Sequence, residues 1–113
     1  MKDFLLVFRA DFRSMPAATP EAMQAEMKLW MDWMGSIAAQ NKMVDGGNRL
    51  GSKGKVVRPN NVVTDGPYTE IKELLGGYMV IRAESFDEAI EISKGCPILL
   101  VGGNVEVRDT NPV

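Results

Sequence analysis

Apolar and polar positions change rhythm along the chain, and each rhythm points to an element. Phe4 to Phe8 is an unbroken apolar run, the pattern of a strand that meets water on neither face. Thr19-Pro20-Glu21 announces a helix, with a hydroxyl N-cap, proline at the first helical position and an acid in the positive first turn. Met23, Met27, Trp30, Met34 and Ile37 then recur at helical spacing and predict one packing stripe on a helix reaching about Gln40. Asn41 to Gly47 is polar and reads as a turn region. Lys55–Arg58 and Val62–Thr64 flank Pro59-Asn60-Asn61 as a hairpin, since asparagine tolerates the left-handed backbone of a tight turn.

Beyond the hairpin, Thr64 to Glu73 is a polar loop shaped by Asp65-Gly66-Pro67, and Gly76-Gly77 opens a strand from Tyr78 to Ala83. Ser85-Phe86-Asp87-Glu88 is a capping box for a second helix to Lys94. Gly95 is the expected left-handed C-cap, and Pro97 forbids continuation. Val105-Glu106-Val107-Arg108 alternates with period two, a strand with one wet face. Right-handed crossovers turn this order into an α+β, ferredoxin-like βαββαβ sheet with an added β-hairpin and two helices on one face. The first strand is apolar on both sides, so the face without helices would expose apolar surface. A homodimer with its sheets face to face and a chamber between them is expected to bury it.

Composition narrows the chemistry. With 113 residues, the chain reads as one domain over 1–113. It carries 13 Lys+Arg against 15 Asp+Glu, which gives no electrostatic footprint for nucleic acid or a membrane surface. No apolar run is long enough for a signal peptide or a membrane span, and a single cysteine suits a cytoplasmic compartment. The absence of histidine removes any Ser-His, Cys-His or His-zinc site within one chain. No acid spacing argues for a metal, and no motif calls for a cofactor. Cys96, beside Pro97 and without a base, reads as a buried inert thiol.

The densest cluster of functional groups is Asp65-Gly66-Pro67-Tyr68-Thr69-Glu70-Ile71-Lys72-Glu73. Asp65, Glu70 and Glu73 are the candidate acid–base residues. Tyr68 and Lys72 are candidate donors to a ligand or oxyanion. Arg9 and Arg58, on predicted strands, could anchor an anion bidentately. For a carboxylate to work near neutrality its pKa must rise about two units, which an apolar chamber supplies and an open loop does not. The same nine residues also read as ordinary turn chemistry followed by a solvated helical turn.

The run from Asp65 through Leu74-Leu75-Gly76-Gly77-Tyr78, with Cys96-Pro97 and Val105-Glu106-Val107-Arg108, resembles the DGPF-domain branch of the YCII-related proteins. Tyr68 stands where that branch usually has phenylalanine. The resemblance covers nearly the whole chain. It implies a dimeric α+β barrel in a small cytoplasmic bacterial protein, with a link to extracytoplasmic-function sigma factors. It carries over the signature positions Asp65, Gly66, Pro67, Glu70, Lys72, Glu73, Gly76 and Gly77. The His-Asp pair of some family members has no counterpart, since this chain has no histidine. Three readings follow: a chamber that binds a small polar or anionic molecule, with weak acid–base catalysis by the acidic loop; a non-catalytic regulatory module working with a sigma factor; or a structural signature in which Asp65 caps the turn, Gly76-Gly77 permits close backbone approach and no ligand binds.

Overall fold

The computed structural model describes residues 1–12, 15, 18–66 and 74–111. Its elements are β1 (Lys2–Ala10), α1 (Pro20–Ala39), β2 (Met43–Arg49), β3 (Lys55–Arg58), β4 (Val62–Asp65), β5 (Leu74–Ala83), α2 (Phe86–Ser93) and β6 (Asn104–Asp109), with 3-10 turns at Pro59–Asn61 and Pro97–Val101. Four strands form an antiparallel sheet in the order β2-β5-β1-β6, and β3-β4 is a separate hairpin. This is the expected ferredoxin-like α+β order with the hairpin inserted between β2 and β5. Asn60 and Asn61 take the left-handed conformations that the hairpin turn requires.

One strand was not legible as such. Asn41 to Gly47, expected as a polar turn region, contributes most of edge strand β2. Its residues carry no alternating pattern because the strand is interrupted twice, between Met43 and Asp45 and between Asp45 and Asn48. Such irregularities disturb the inward–outward period. Likewise, β5 begins at Leu74, so Gly76-Gly77 lies inside the strand.

Alternation along β1 decides where the core sits. Phe4, Leu6, Phe8 and Ala10 point into the cluster that also holds Met79, Ile81 and Ile37. Phe4 packs edge-on against Phe86, with ring centroids 5.1 Å apart, and Phe8 meets Trp30 at 5.1 Å. The two helices therefore share one face of the sheet. Trp33 ties them together by donating its indole N–H to the Ile92 carbonyl at 3.0 Å.

The helix caps follow the sequence with one correction. Thr19 accepts from the Ala22 N–H at 3.1 Å, and Ser85 accepts from that of Glu88 at 3.1 Å. Gly95 is not left-handed; a side chain there would press on the Trp33 indole, its Cβ only 3.1 Å away. The expected stripe of α1 is only half used. Of that stripe Trp30 and Ile37 pack on the core, joined by Trp33 from outside it, whereas Met23 and Met27 remain 56% and 61% exposed. The helix outruns the surface it covers.

Cys96 is buried, and desolvation pushes its thiol up to about 12. A thiol reagent at pH 8 is expected to spare the native chain and to modify one cysteine per chain in urea. An unfolded thiol ionises near 8.5. Stability from this group is therefore complete below that pH and is lost progressively as pH rises toward 12. Urea midpoints of the protein and of Cys96→Ala across the alkaline range check the sign.

Candidate functional site

The odd-numbered residues of β1 point to the sheet face away from the helices, and among the described residues no helix packs against it. Register extends that face across the sheet. Val7 lies between Tyr78 on β5 and Glu106 on β6, Leu5 between Val80 and Arg108, and Asp3 opposite Arg82. Asn48 of β2 stands opposite Tyr78. The centre is apolar, with Val7 buried and Leu5 and Val80 half-buried, and its surroundings carry functional groups.

Two hydrogen-bonded groups define the chemistry there. Arg9 and Glu106 are diagonal neighbours, close enough for long side chains to meet, and Arg9 Nη2 lies 3.3 Å from Glu106 Oε1. Arg108 Nε reaches the other oxygen, Glu106 Oε2, at 2.8 Å. One carboxylate thus orients two guanidiniums, each built to grip a planar anion with several parallel donors. Across Val7, Asn48 Nδ2 donates to Tyr78 Oη at 3.0 Å. That bond uses a lone pair of the phenol and leaves its proton to offer to an acceptor. The face combines an apolar floor, guanidinium donors and an oriented hydroxyl.

The residues proposed from sequence fall in different places. Arg9 is on this face and paired as described. Arg58 ends β3 on the hairpin and is exposed. Asp65 ends β4 and pairs with Lys55 at 2.6 Å, its side chain 91% exposed. An acid–base role for Asp65 depends on desolvation, and within the protomer that condition is not met. Tyr68, Glu70, Lys72 and Glu73 lie outside the described residues.

Tyr78, Asn48 and Glu106 were not among the sequence candidates. The alternation of β6 had already placed Glu106 on its wet face, beside the arginine of a neighbouring strand once register is known. Asn48 carried no such signal, because its strand was itself illegible. The described residues contain no cluster of metal-ligating side chains. None of the described helices is long and apolar enough to cross a membrane.

A second hollow, of about 420 Å³, opens between the helices beside Trp33, Gln40, Lys42, Glu88 and Ile92. Lys42 and Glu88 pair there at 2.9 Å, and the hydrogen bond from Lys42 holds the Glu88 carboxyl below its usual range. Glu91, which also lines that hollow, pairs with Lys94 at 2.7 Å.

Comparison with known proteins agrees with this architecture. The profile of the YCII-related domain matches residues 10–111. No curated protein sequence matches the chain. Among solved structures, the chain is similar to 5-chloro-2-hydroxyhydroquinone dehydrochlorinase (TftG) from Burkholderia phenoliruptrix AC1100, in complex with 2,5-dihydroxybenzoquinone. The TM-score is 0.51 at 16% identity, over 98% of this chain and 95% of that chain. At that identity the likeness is one of fold.

Proposed function

The chain belongs to the YCII-related family, and on that footing we propose that it binds a small polar or anionic molecule on the open sheet face, in a chamber closed by a second copy. The observation that carries this reading is the composition of that face. An apolar floor of Leu5, Val7 and Val80 is flanked by the Arg9–Glu106–Arg108 chain and by the Asn48-oriented Tyr78 hydroxyl. Small-molecule sites pair a mostly apolar lining with a few placed polar groups in this way.

The shape of the protomer supports the second copy. Its extents are 44 × 43 × 18 Å, the shortest matching the thickness of one helix layer on one sheet. A second sheet laid on the first would take Leu5 and Val80 out of water. Acid–base chemistry by Asp65, Glu70 or Glu73 follows only from closure of such a chamber around them, which would lift a carboxylate toward neutral pH. The dihydroxybenzoquinone bound to the structural neighbour suggests the ligand class: a compact ring whose oxygens a guanidinium and a phenol can both receive.

Thermal-shift measurements with 2,5-dihydroxybenzoquinone and a panel of small carboxylates test the reading. A compound at a hundred times its dissociation constant adds about 2.7 kcal/mol. For a domain of this size that is a rise of several degrees or more. Arg9→Ala and Tyr78→Phe are each expected to reduce the rise, and sedimentation is expected to give a dimer. A melting point unmoved by every compound overturns the reading and leaves the regulatory module and the ligand-free structural signature.

A further inference from the structure

Edge strand β2 reaches the open sheet face through a bulge. Asp45 stands opposite Val80 and Asn48 opposite Tyr78, so the stretch from Asp45 to Asn48 holds one residue more than the stretch of β5 it faces. In a regular strand, residues three apart point to opposite faces. The extra residue cancels that alternation and brings Asn48 to the face that carries Tyr78, a re-aiming that bulges commonly perform. The bulge is held from within. Gly47 takes φ +70°, and its N–H donates to Asp45 Oδ1 at 2.8 Å.

The consequence falls on the Tyr78 hydroxyl. Asn48 Nδ2 donates to Tyr78 Oη at 3.0 Å. A phenol has one proton and accepts through its lone pairs, so the proton turns away from the amide that donates to the oxygen. Asn48 approaches from β2, and the strand on the other side of Tyr78 is β1, with Val7 directly opposite. The hydroxyl is thereby committed as a donor toward the apolar floor.

We propose that Asn48 is a specificity-determining residue of this face, selecting ligands that present an acceptor oxygen, such as a carboxylate or a quinone carbonyl, over those that present a hydroxyl proton. The proposal rests on the binding reading above and narrows its ligand class. The neighbouring groups favour the same choice. Guanidiniums have donors and no acceptor, and each oxygen of Glu106 already accepts from one of them. A ligand hydroxyl that meets the Tyr78 proton must turn to accept, and its own proton then needs another partner. A site whose polar groups are left unmatched in this way discriminates strongly. The bulge fixes the donor before the ligand arrives, which lowers the ordering cost of binding.

Calorimetric titration of the full chain with benzoate, whose carboxylate only accepts, provides the test. Asn48→Asp replaces the amide donor by an acceptor of the same shape and claims the Tyr78 proton. It is expected to weaken benzoate about tenfold or more. The new charge also repels benzoate, so the substitution is repeated in Tyr78→Phe. Repulsion is common to both backgrounds and cancels in the double-mutant cycle, whereas the part that acts through the hydroxyl vanishes without it. The loss is expected to be much smaller in Tyr78→Phe. Asn48→Ala, which frees the hydroxyl to turn either way and adds no charge, is expected to fall between the wild type and Asn48→Asp. Equal losses in the two backgrounds, or full affinity in Tyr78→Phe, would overturn the role of Asn48 and leave the guanidinium-based binding reading standing. No binding of benzoate, 2,5-dihydroxybenzoquinone or the other carboxylates to the wild type would remove that reading and this proposal with it.

Discussion

Gly47→Ala is expected to destabilise the chain by about 3 kcal/mol or more, a large share of the roughly 5–15 kcal/mol that holds a domain folded. Two causes add. Gly47 has φ +70°, and an L-residue in that conformation costs about 1–2 kcal/mol. An added Cβ would also overlap the Tyr78 carbonyl oxygen, with the carbonyl carbon at 2.6 Å and Met79 Cα at 3.0 Å. Those atoms are backbone of the adjacent strand, so relief requires β2 and β5 to separate. Separation would break the Asn48–Tyr78 hydrogen bond and disorder one side of the proposed ligand face.

Gly66→Ala isolates the first cause, because Gly66 has φ +85° with open space around its Cβ position. It should cost only about 1 kcal/mol. Urea midpoints of the two variants measure the difference. Equal losses would show that the close approach of β2 to β5 contributes nothing.

The fold was legible in the sequence wherever burial imposes a period. The β6 alternation states its element because a strand with one buried side must repeat its apolar residues at its own pitch, the unbroken β1 run because both of its faces are apolar, and the helix starts through the caps at Thr19 and Ser85. β2 was illegible for the complementary reason: an irregular edge strand that includes Asp45-Gly46-Gly47-Asn48 buries almost nothing. The exposure of Met23 and Met27 was also hidden. Periodicity shows which side of a helix is apolar, but not how far the underlying sheet extends.

The candidate site was less legible than the fold. Sequence draws attention to functional groups that are close along the chain, such as those from Asp65 to Glu73. The sheet face is assembled from groups that are distant in sequence. Arg9 and Glu106 are 97 positions apart, and Asn48 and Tyr78 are 30 apart. Only strand order and register bring them together. Arg9 was found because an arginine on a predicted strand can anchor an anion bidentately; Asn48 and Tyr78 are ordinary until they are seen opposite each other.

Phe8→Ala is expected to cost about 3–5 kcal/mol, the range for truncating a buried aromatic residue. Phe8 is 6% exposed and meets Trp30 and Trp33 edge-on, at 5.1 and 6.1 Å, while those two indoles meet each other at 5.7 Å. Each edge-to-face pair adds about 0.5–1.5 kcal/mol beyond the area it buries. The loss falls where α1 is most vulnerable, because the helix from Pro20 to Leu29 is exposed along its whole length and only the later turns touch the core. Tryptophan fluorescence and near-ultraviolet dichroism should therefore report a loosened helix before the sheet melts. Val7, one residue away, points to the opposite face, so the two positions separate the protomer's own core from the proposed dimer contact. The cost of Phe8→Ala should be the same at every protein concentration. If the proposed dimer forms, that of Val7→Asp should grow with concentration, because a wild-type dimer gains stability as concentration rises. A loss below about 1 kcal/mol for Phe8→Ala would mean that the tryptophan pair does not anchor α1 to the sheet.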